Sequence, residues 1–472
     1  MEAQKTEKAG TMESRFATED VRKLIMQFAT PAVVAAVVNS LYNIVDQIFI
    51  GNGVGYLGNG ATNVIFPLTI IALAFAQMLG DGAASYLSLK LGEGKKADGE
   101  RAVNNAISML TLMGVLFMIL GLIFLKPLAL MFGATEKILP YAMEYGRVIV
   151  IGLPFFIVSV GLNSILRADG NPRVSMTSML AGAVFNVIFD PVLIYLAHWG
   201  VTGAAIATVG GQIITCAICV VYLRKLRTVK LDTHQMKPSL HYTIETAKLG
   251  ISSFVVQISI VISMFVANNM LVKYGAASKY GSDIPLTVMG IVMKVNQILM
   301  GIIVGIGTGS QPVLGYNYGA GKYDRVRRAF RFSLSIALTF GVLAFCLFEF
   351  CPQTVINLFG SEDGLYNEFA QMCFRIFLML CVCNAFHAVA CVFFQAVGAS
   401  ASAAVLSMLR QIIIVVPAML LLPLAMGVEG VLWAGPLADG ISFITALVLI
   451  VKKLREIRTA PAQKLATVQA QA

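Results

Sequence analysis

Two aspartates stand where a charge is expensive. Asp46 lies in an apolar run over residues 23–50 and Asp190 in another over 174–197, and an ionisable group inside a run long enough to cross a bilayer must be paired, hydrated or protonated. Counted inward from the outer end of each run, both sit about 6–9 Å below the boundary, and Thr208 in the run 201–223 lies near the same layer at about 10 Å. Asn186 precedes Asp190 by one helical turn, so amide and carboxylate share a face. Two carboxylates in one apolar layer repel, so at least one of them takes a proton near neutral pH. With the oxygens of Asn186 and Thr208 the same four residues equally suit a hard cation such as Na+. Reversible capture of H+ or Na+ is the chemistry these residues offer, and their types leave both ions open. The competing reading is that each aspartate merely caps a helix near the outer interface.

Other polar residues surround that layer. Asn39, Tyr42, Tyr145 and Asn163 offer a cationic guest an aromatic face and adaptable hydrogen-bond partners, and the 22 methionines and 28 phenylalanines suit a pocket that repacks around different guests. Each of these residue types also serves ordinary helix–helix packing. Pro31, fifteen residues before Asp46, removes a backbone hydrogen bond and is a candidate conformational hinge. The second half of the chain carries Lys294, Arg375, His387, Arg410 and Asp439 inside apolar runs. Lys294 is a candidate lock or counter-ion, Arg410 and Asp439 are a candidate pair between consecutive helices, and a structural role stands beside each.

The elements that must position these residues follow from composition. Of 472 residues 57% are hydrophobic and 13% charged, with a mean hydropathy of +0.79, too little polar surface to cover a water-facing globule. Apolar runs fall at about 23–50, 61–89, 104–126, 141–166, 174–197, 201–223, 246–273, 285–316, 329–351, 366–396, 402–425 and 430–451. Each is long enough to span. The expected fold is therefore an all-α membrane protein of twelve transmembrane helices, with no room for a sizeable soluble domain. The net charge of +10 sits between apolar runs and not on a soluble face, so nucleic acid is not an expected partner. Of the 35 lysines and arginines, 27 fall in the tails and the even-numbered loops, which makes that side, and both termini, cytoplasmic. No cleavable signal is expected before the first span, which is expected to act as its own targeting signal. Cys216 and Cys219 form a CxxC inside a helix without a second pair or a neighbouring histidine, a weak case for metal or redox chemistry.

An internal repeat organises the twelve helices. Gly80-Asp81-Gly82 and Gly92-Glu93-Gly94-Lys95 recur as Gly307-Thr308-Gly309 and Gly319-Ala320-Gly321-Lys322 at an offset of 227 residues, and Gly200-Val201 recurs as Gly427-Val428. The reading is two six-helix pseudo-symmetric lobes in parallel orientation: a tail over 1–20, a first lobe over 21–224, a linker over 225–245, a second lobe over 246–452 and a tail over 453–472. A site between two such lobes suits alternating access. GEGKKADG and GAGKYDRV lack the phosphate-loop spacing, and HExxH and GxSxG are absent, so neither ATP-driven export nor a membrane-embedded enzyme is expected.

The segment ATPAVVAAVVNSLYNIVDQIFIGNGVG, the pair FNVIFDP and RADGNP, and VNQILMGIIVGIGTGSQPVLGYNYGAGKYDRVRRAF together resemble the multidrug and toxic compound extrusion (MATE) family over about residues 20–455. The likeness is to MepA-like bacterial members, with a first lobe similar to the DinF-like branch. It implies a secondary antiporter that exports cationic or amphipathic organic compounds in exchange for H+ or Na+. It places Asp46, Asn186, Asp190 and Thr208 on the cation-binding network of that branch and Pro31 on a bending position. NorM-like members carry a glutamate where Gln257 stands here, which puts a second-lobe cation site in doubt. The rivals are a lipid-linked saccharide flippase of the same broader superfamily and, from another class, a cation channel. The resemblance implies no cofactor beyond the coupling ion, the bacterial cytoplasmic membrane with its lipid as setting, and a monomer.

Overall fold

The computed structural model describes residues 12–231, 237–281, 283–357 and 364–471; the start of the expected tail, part of the linker and the last residue lie outside them. A short helix α1, Met12–Thr18, leads into α2, Val21–Gly53, whose first turn is capped by Asp20, its carboxylate accepting from the amides of Arg22 at 2.9 Å and Lys23 at 3.1 Å. There follow α3 Tyr56–Gly92, α4 Lys96–Met131, α5 Leu139–Ala168, α6 Pro172–Pro191, α7 Gly200–Leu223, α8 Leu240–Ala276, α9 Asp283–Gly319 and α10 Tyr323–Phe350. After a one-and-a-half-turn helix α11, Pro352–Asn357, come α12 Gly364–Phe377, α13 Cys381–Ala396, α14 Ser400–Met408, α15 Val415–Met426 and α16 Val428–Gln471. The architecture is all-α in two lobes.

Among the described residues, eleven helical stretches are long and apolar enough to cross a membrane. The pair α12 and α13, bent by 46°, is together long and apolar enough for a twelfth. The expected single helix over 366–396 is thus broken at Leu378–Leu380, where no proline or glycine announces it. Small residues set the spacing elsewhere. A Cβ at Gly114 of α4 would lie 2.7 Å from the Cα of Pro154, and one at Gly121 2.7 Å from Val150 Cγ1, while Leu112, Leu116, Ile119 and Ile123 of the same helix are exposed. One face meets α5 and the other meets lipid.

The repeat appears in the backbone itself: α3 and α9 begin and end at positions 227 residues apart, and α4 and α10 begin so. Their ends meet at the symmetry axis. A Cβ on Gly92 would strike the carbonyl of Tyr316, and one on its counterpart Gly319 would strike the carbonyl of Leu89. These contacts lie at the basic end of the bundle, and there the lobes are also strapped across one another. Phe16 of α1 is buried against Phe28 and Tyr316, and Arg325 at the start of α10 donates to the carbonyls of Phe16 at 3.0 Å and Glu19 at 2.6 Å. Reciprocally, Asn105 of α4 accepts from the Ser239 amide at 2.7 Å and donates to Thr243 Oγ1 at 2.9 Å, just where α8 begins. The linker is tied down too: buried Asp169 accepts from the Thr228 amide and hydroxyl at 2.7 and 2.6 Å, and burial pushes its carboxyl above the usual carboxylate range against the pull of these bonds.

Two apolar cores result, one running from Ile50 to Val229 and the other from Ala267 to Ile457. The second also takes in Phe16, Val21, Leu24, Ile25, Phe28 and Ala29. Helix α2 therefore packs its first turns into the second lobe and its last turn, through Ile50, into the first. Replacing Gly92 by Ala should lower stability by about 1–3 kcal/mol, because the new methyl meets backbone that cannot swing aside. Gly290→Ala, where a Cβ meets nothing within 4 Å, is the control. Midpoints of thermal unfolding in detergent check it, and equal midpoints for the two variants would remove the close approach.

Candidate functional site

The outer third of the first lobe gathers the acidic residues. Pro191 ends the α-helical ladder of α6 by lacking an N–H, and the chain continues as a π-helical turn, Val192–Leu196. Tyr195 in that turn donates its hydroxyl hydrogen to the carbonyl of Phe49 at 2.9 Å and packs edge-on to the Phe49 ring. This tie presses the end of α2 against the end of α6, three residues from Asp46 on one side and five from Asp190 on the other. The two carboxyl groups consequently come within hydrogen-bonding reach of one another.

Asn186 and Thr208 complete the group. The Asn186 amide nitrogen lies 3.3 Å from Asp190 Oδ1 and 3.2 Å from Thr208 Oγ1. With the amide turned over, the nitrogen donates to Asp190 Oδ2 at 3.1 Å and the oxygen accepts from the Thr208 amide and hydroxyl at 3.3 and 3.2 Å, which satisfies both ends. Close packing of α6 on α7 sets this geometry: a Cβ on Gly182 or on Gly211 would lie 2.6 Å from the other's carbonyl oxygen. Asp190 is fully buried and Asn186 nearly so, while Asp46 and Thr208 are half-buried. Asp46 Oδ1 is buried and has no hydrogen-bond partner among the described residues.

The remaining sequence candidates divide. Tyr42 is one turn from Asp46 on α2, and Tyr145 of α5 is buried beside it; both hydroxyls lie within electrostatic reach of Asp46 and Asp190. Asn39, two turns before Asp46, continues the same face and is half-buried. Asn163 does not join them. It lies eighteen residues along α5 from Tyr145, about 27 Å, and its amide is used inside the lobe, donating to the Ser159 carbonyl at 2.8 Å and accepting from Ser178 at 3.0 Å. Pro31 sits within a continuous α2, between Ala29 and Val33, which face Gly309 and Gly305 of α9. In the second lobe Arg410, in a π-helical turn, donates to buried Asp439 at 2.7 Å beside buried His387, whose ring nitrogen lies 3.1 Å from the Leu406 carbonyl. Lys294 is half-buried with no ion pair or hydrogen bond among the described residues. Gln257 donates to Gln77 at 2.9 Å.

That last contact belongs to a polar seam the sequence reading missed. Asp81 of α3 accepts from Ser164 at 2.6 Å and lies 3.9 Å from Arg167, both on α5, and its other oxygen accepts from Ser253 of α8 at 2.9 Å. Gln395 of α13 donates to Ser253 at 3.3 Å, and Gln311 of α9 donates to Ser85 at 2.5 Å. The Ser253–Asp81, Gln311–Ser85 and Gln257–Gln77 bonds join the lobes across the basic half of the bundle. Toward the other face the lobes part. A Cβ on Gly309 would lie 2.5 Å from Ala29, on Gly305 2.8 Å from Val33, on Gly301 3.5 Å from Ser40, and on Gly290 within 4 Å of nothing. The carboxylate cluster thus lies toward the end of the molecule where α2 and α9 diverge, away from the seam. The only advance signal was a carboxylate between the glycines of Gly80-Asp81-Gly82, which had served as a marker of the repeat.

Comparison with known proteins adds the following. The family model described as MatE matches residues 31–192 and 252–420. The multidrug export protein MepA of Staphylococcus haemolyticus is 25% identical over 441 residues, covering 92% of this chain and 94% of its own. Among solved structures, a MOP superfamily transporter from Pyrococcus furiosus aligns with a TM-score of 0.87 at 22% identity, covering 95% of this chain and 99% of that one. A multidrug resistance MATE family transporter in an outward-facing conformation aligns with the same TM-score, identity and coverage. At that identity the likeness is one of fold.

Ser253→Ala removes the second lobe's donor to Asp81 and leaves the first lobe's partners in place. In protein freed of its native cysteines, a cysteine at Ser88, buried at the lobe interface against Gly315, should then react with a polar maleimide from the basic side about two- to tenfold faster, as expected from the loss of one hydrogen bond. An unchanged rate would show that the seam does not hold the lobes together.

Proposed function

Because the chain belongs to the MatE family, we propose that it is a secondary multidrug efflux antiporter that exchanges cationic or amphipathic organic compounds for H+ by alternating access. The contact between the Asp46 and Asp190 carboxyl groups carries this reading. A proton on that pair and an organic cation beside it are alternatives, because each neutralises the same negative charge. Two carboxyls this near one another suit a shared proton, which is the reason for taking H+ before Na+. Relatives named as multidrug export proteins support the substrate class.

The geometry supports a definite cycle. With the basic side closed by the Asp81 seam and the other side open, a proton entering from outside neutralises Asp46 and Asp190, and the cationic guest loses its counter-charge and leaves outward. Tyr42, Tyr145 and Asn39 line the guest's side of the pair. The lobes then rock, the seam opens, and the site faces the basic side, which the positive-inside bias identifies as the cytoplasm. There the proton departs and the next guest binds. Helix α2, with Pro31 where it crosses between the lobes, carries the change. By linkage, the factor by which the proton weakens guest binding equals the factor by which the guest weakens proton binding. The setting is the bacterial cytoplasmic membrane, with both termini inside and the two fused lobes acting as a monomer.

In proteoliposomes an imposed pH gradient, at equal Na+ on both sides, should drive efflux of a fluorescent organic cation, and Asp46→Asn and Asp190→Asn should each slow it at least about tenfold, the scale of a lost charge pair. Equilibrium binding of the cation should strengthen as pH rises, by up to about tenfold per unit, and become flat in the double variant. Efflux driven as fast by a Na+ gradient at symmetric pH would displace the proton, and full efflux by both single variants would remove the mechanism.

A further inference from the structure

We propose that Lys294 reads an anionic group on the guest, so that the site prefers organic zwitterions carrying a carboxylate as well as a cationic centre. This rests on the efflux reading above and names its substrate class more narrowly. Buried cations in membrane helices ordinarily pair with carboxylates or face a wet cavity. Lys294 is half-buried and unpaired among the described residues, whereas Arg410 in the same lobe is paired with Asp439.

Its direction is given by the helix that bears it. Val288, Val292, Leu299, Ile303 and Ile306 of α9 are buried in the second-lobe core, and they lie roughly 120–180° around the helix from Lys294. Gly301 lies two turns from Lys294 on the same face, and Gly301, Gly305 and Gly309 look onto α2 at Ala36 and Ser40, Val33 and Ala29 in turn. Continuing that antiparallel register brings Lys294 level with Asn43 to Gln47, the turn that carries Asp46. The helices have separated by then, since Gly290 one turn further out meets no neighbour. The ammonium therefore projects from the second lobe toward the opening between the lobes, at the level of the carboxylate pair of the first.

A chamber with a carboxylate pair on one wall and an ammonium on the other selects by dipole. A guest with one positive charge gains from the first wall and is repelled by the second. A zwitterion of matching orientation gains from both, and a lysine ammonium with three donors on a flexible stem accommodates anionic groups at varied reach. Protonation of Asp46 and Asp190 releases the cationic end while Lys294 keeps its charge, so the anionic end is the last to leave.

A matched pair of dyes tests this: rhodamine 123, a cationic methyl ester, and rhodamine 110, its free acid with a carboxylate. Under a pH gradient, Lys294→Gln in proteoliposomes should raise KM for rhodamine 110 by about tenfold or more, the range for a charge-assisted contact, with KM for rhodamine 123 unchanged or lower. Lys294→Arg should restore the discrimination. Equal shifts for both dyes, or none, would overturn the role of Lys294, as would wild-type protein that expels the ester and ignores the acid. Wild-type protein that expels neither dye would instead count against the efflux reading itself.

Discussion

Two carboxyl groups held in contact inside an apolar lobe cannot both carry charge without a third, positive party. Under the proposed exchange, that constraint makes the Asp46–Asp190 pair a switch and not a scaffold. A structural ion pair is satisfied by its own members, as Arg410 and Asp439 are at 2.7 Å. The acidic pair is never satisfied by itself, and whatever supplies the positive charge decides what else the lobe can hold. Asn186 and Thr208 hold Asp190 in place from the side, which leaves Asp46, half-buried and with an unpartnered oxygen, as the member open to exchange.

Such a switch affects the whole molecule only if the element bearing it belongs to both lobes. Helix α2 does. Its last turns carry Asp46 and are tied to the first lobe by Tyr195 on Phe49, while its first turns, from Val21 to Ala29, are buried in the second-lobe core and flanked by the Arg325 strap. A change of charge near the outer end of α2 is therefore a change in an element whose inner end is part of the lobe interface. Pro31 stands between those two allegiances, where a missing backbone hydrogen bond costs least resistance to bending.

The fold and the cluster were legible in the sequence for different reasons. Hydropathy shows spans because every lipid-facing residue must be apolar, and the 227-residue offset shows the symmetry because glycines at the axis, Gly92 and Gly319, are required for backbones to touch. Asp46, Asn186, Asp190 and Thr208 were legible because a one-turn spacing and a common depth survive folding. Asn163 was misplaced because residue type was weighed without depth, and its distance along α5 alone separates it from Tyr145. The seam was illegible because Ser253, Gln395 and Gln311 are polar residues of the kind found on any helix face, and only tertiary packing brings Ser253 to Asp81 and Gln311 to Ser85. The break between α12 and α13 had no proline or glycine to betray it.

The two lobes share a backbone plan and differ in chemistry, and in the proposed cycle that difference sets the direction. A symmetric carrier with equal charge in both halves would have no reason to bind a cation in one lobe and release it through that lobe's titration. Here the first lobe holds the unsatisfied carboxylates, the second holds a self-neutralised Arg410–Asp439 pair, and Gln257 serves the seam by bonding Gln77. The repeat supplies two lobes related by an axis. In the proposed cycle its divergence confines the exchangeable charge to one of them, so that the second lobe acts as the wall against which the first one closes.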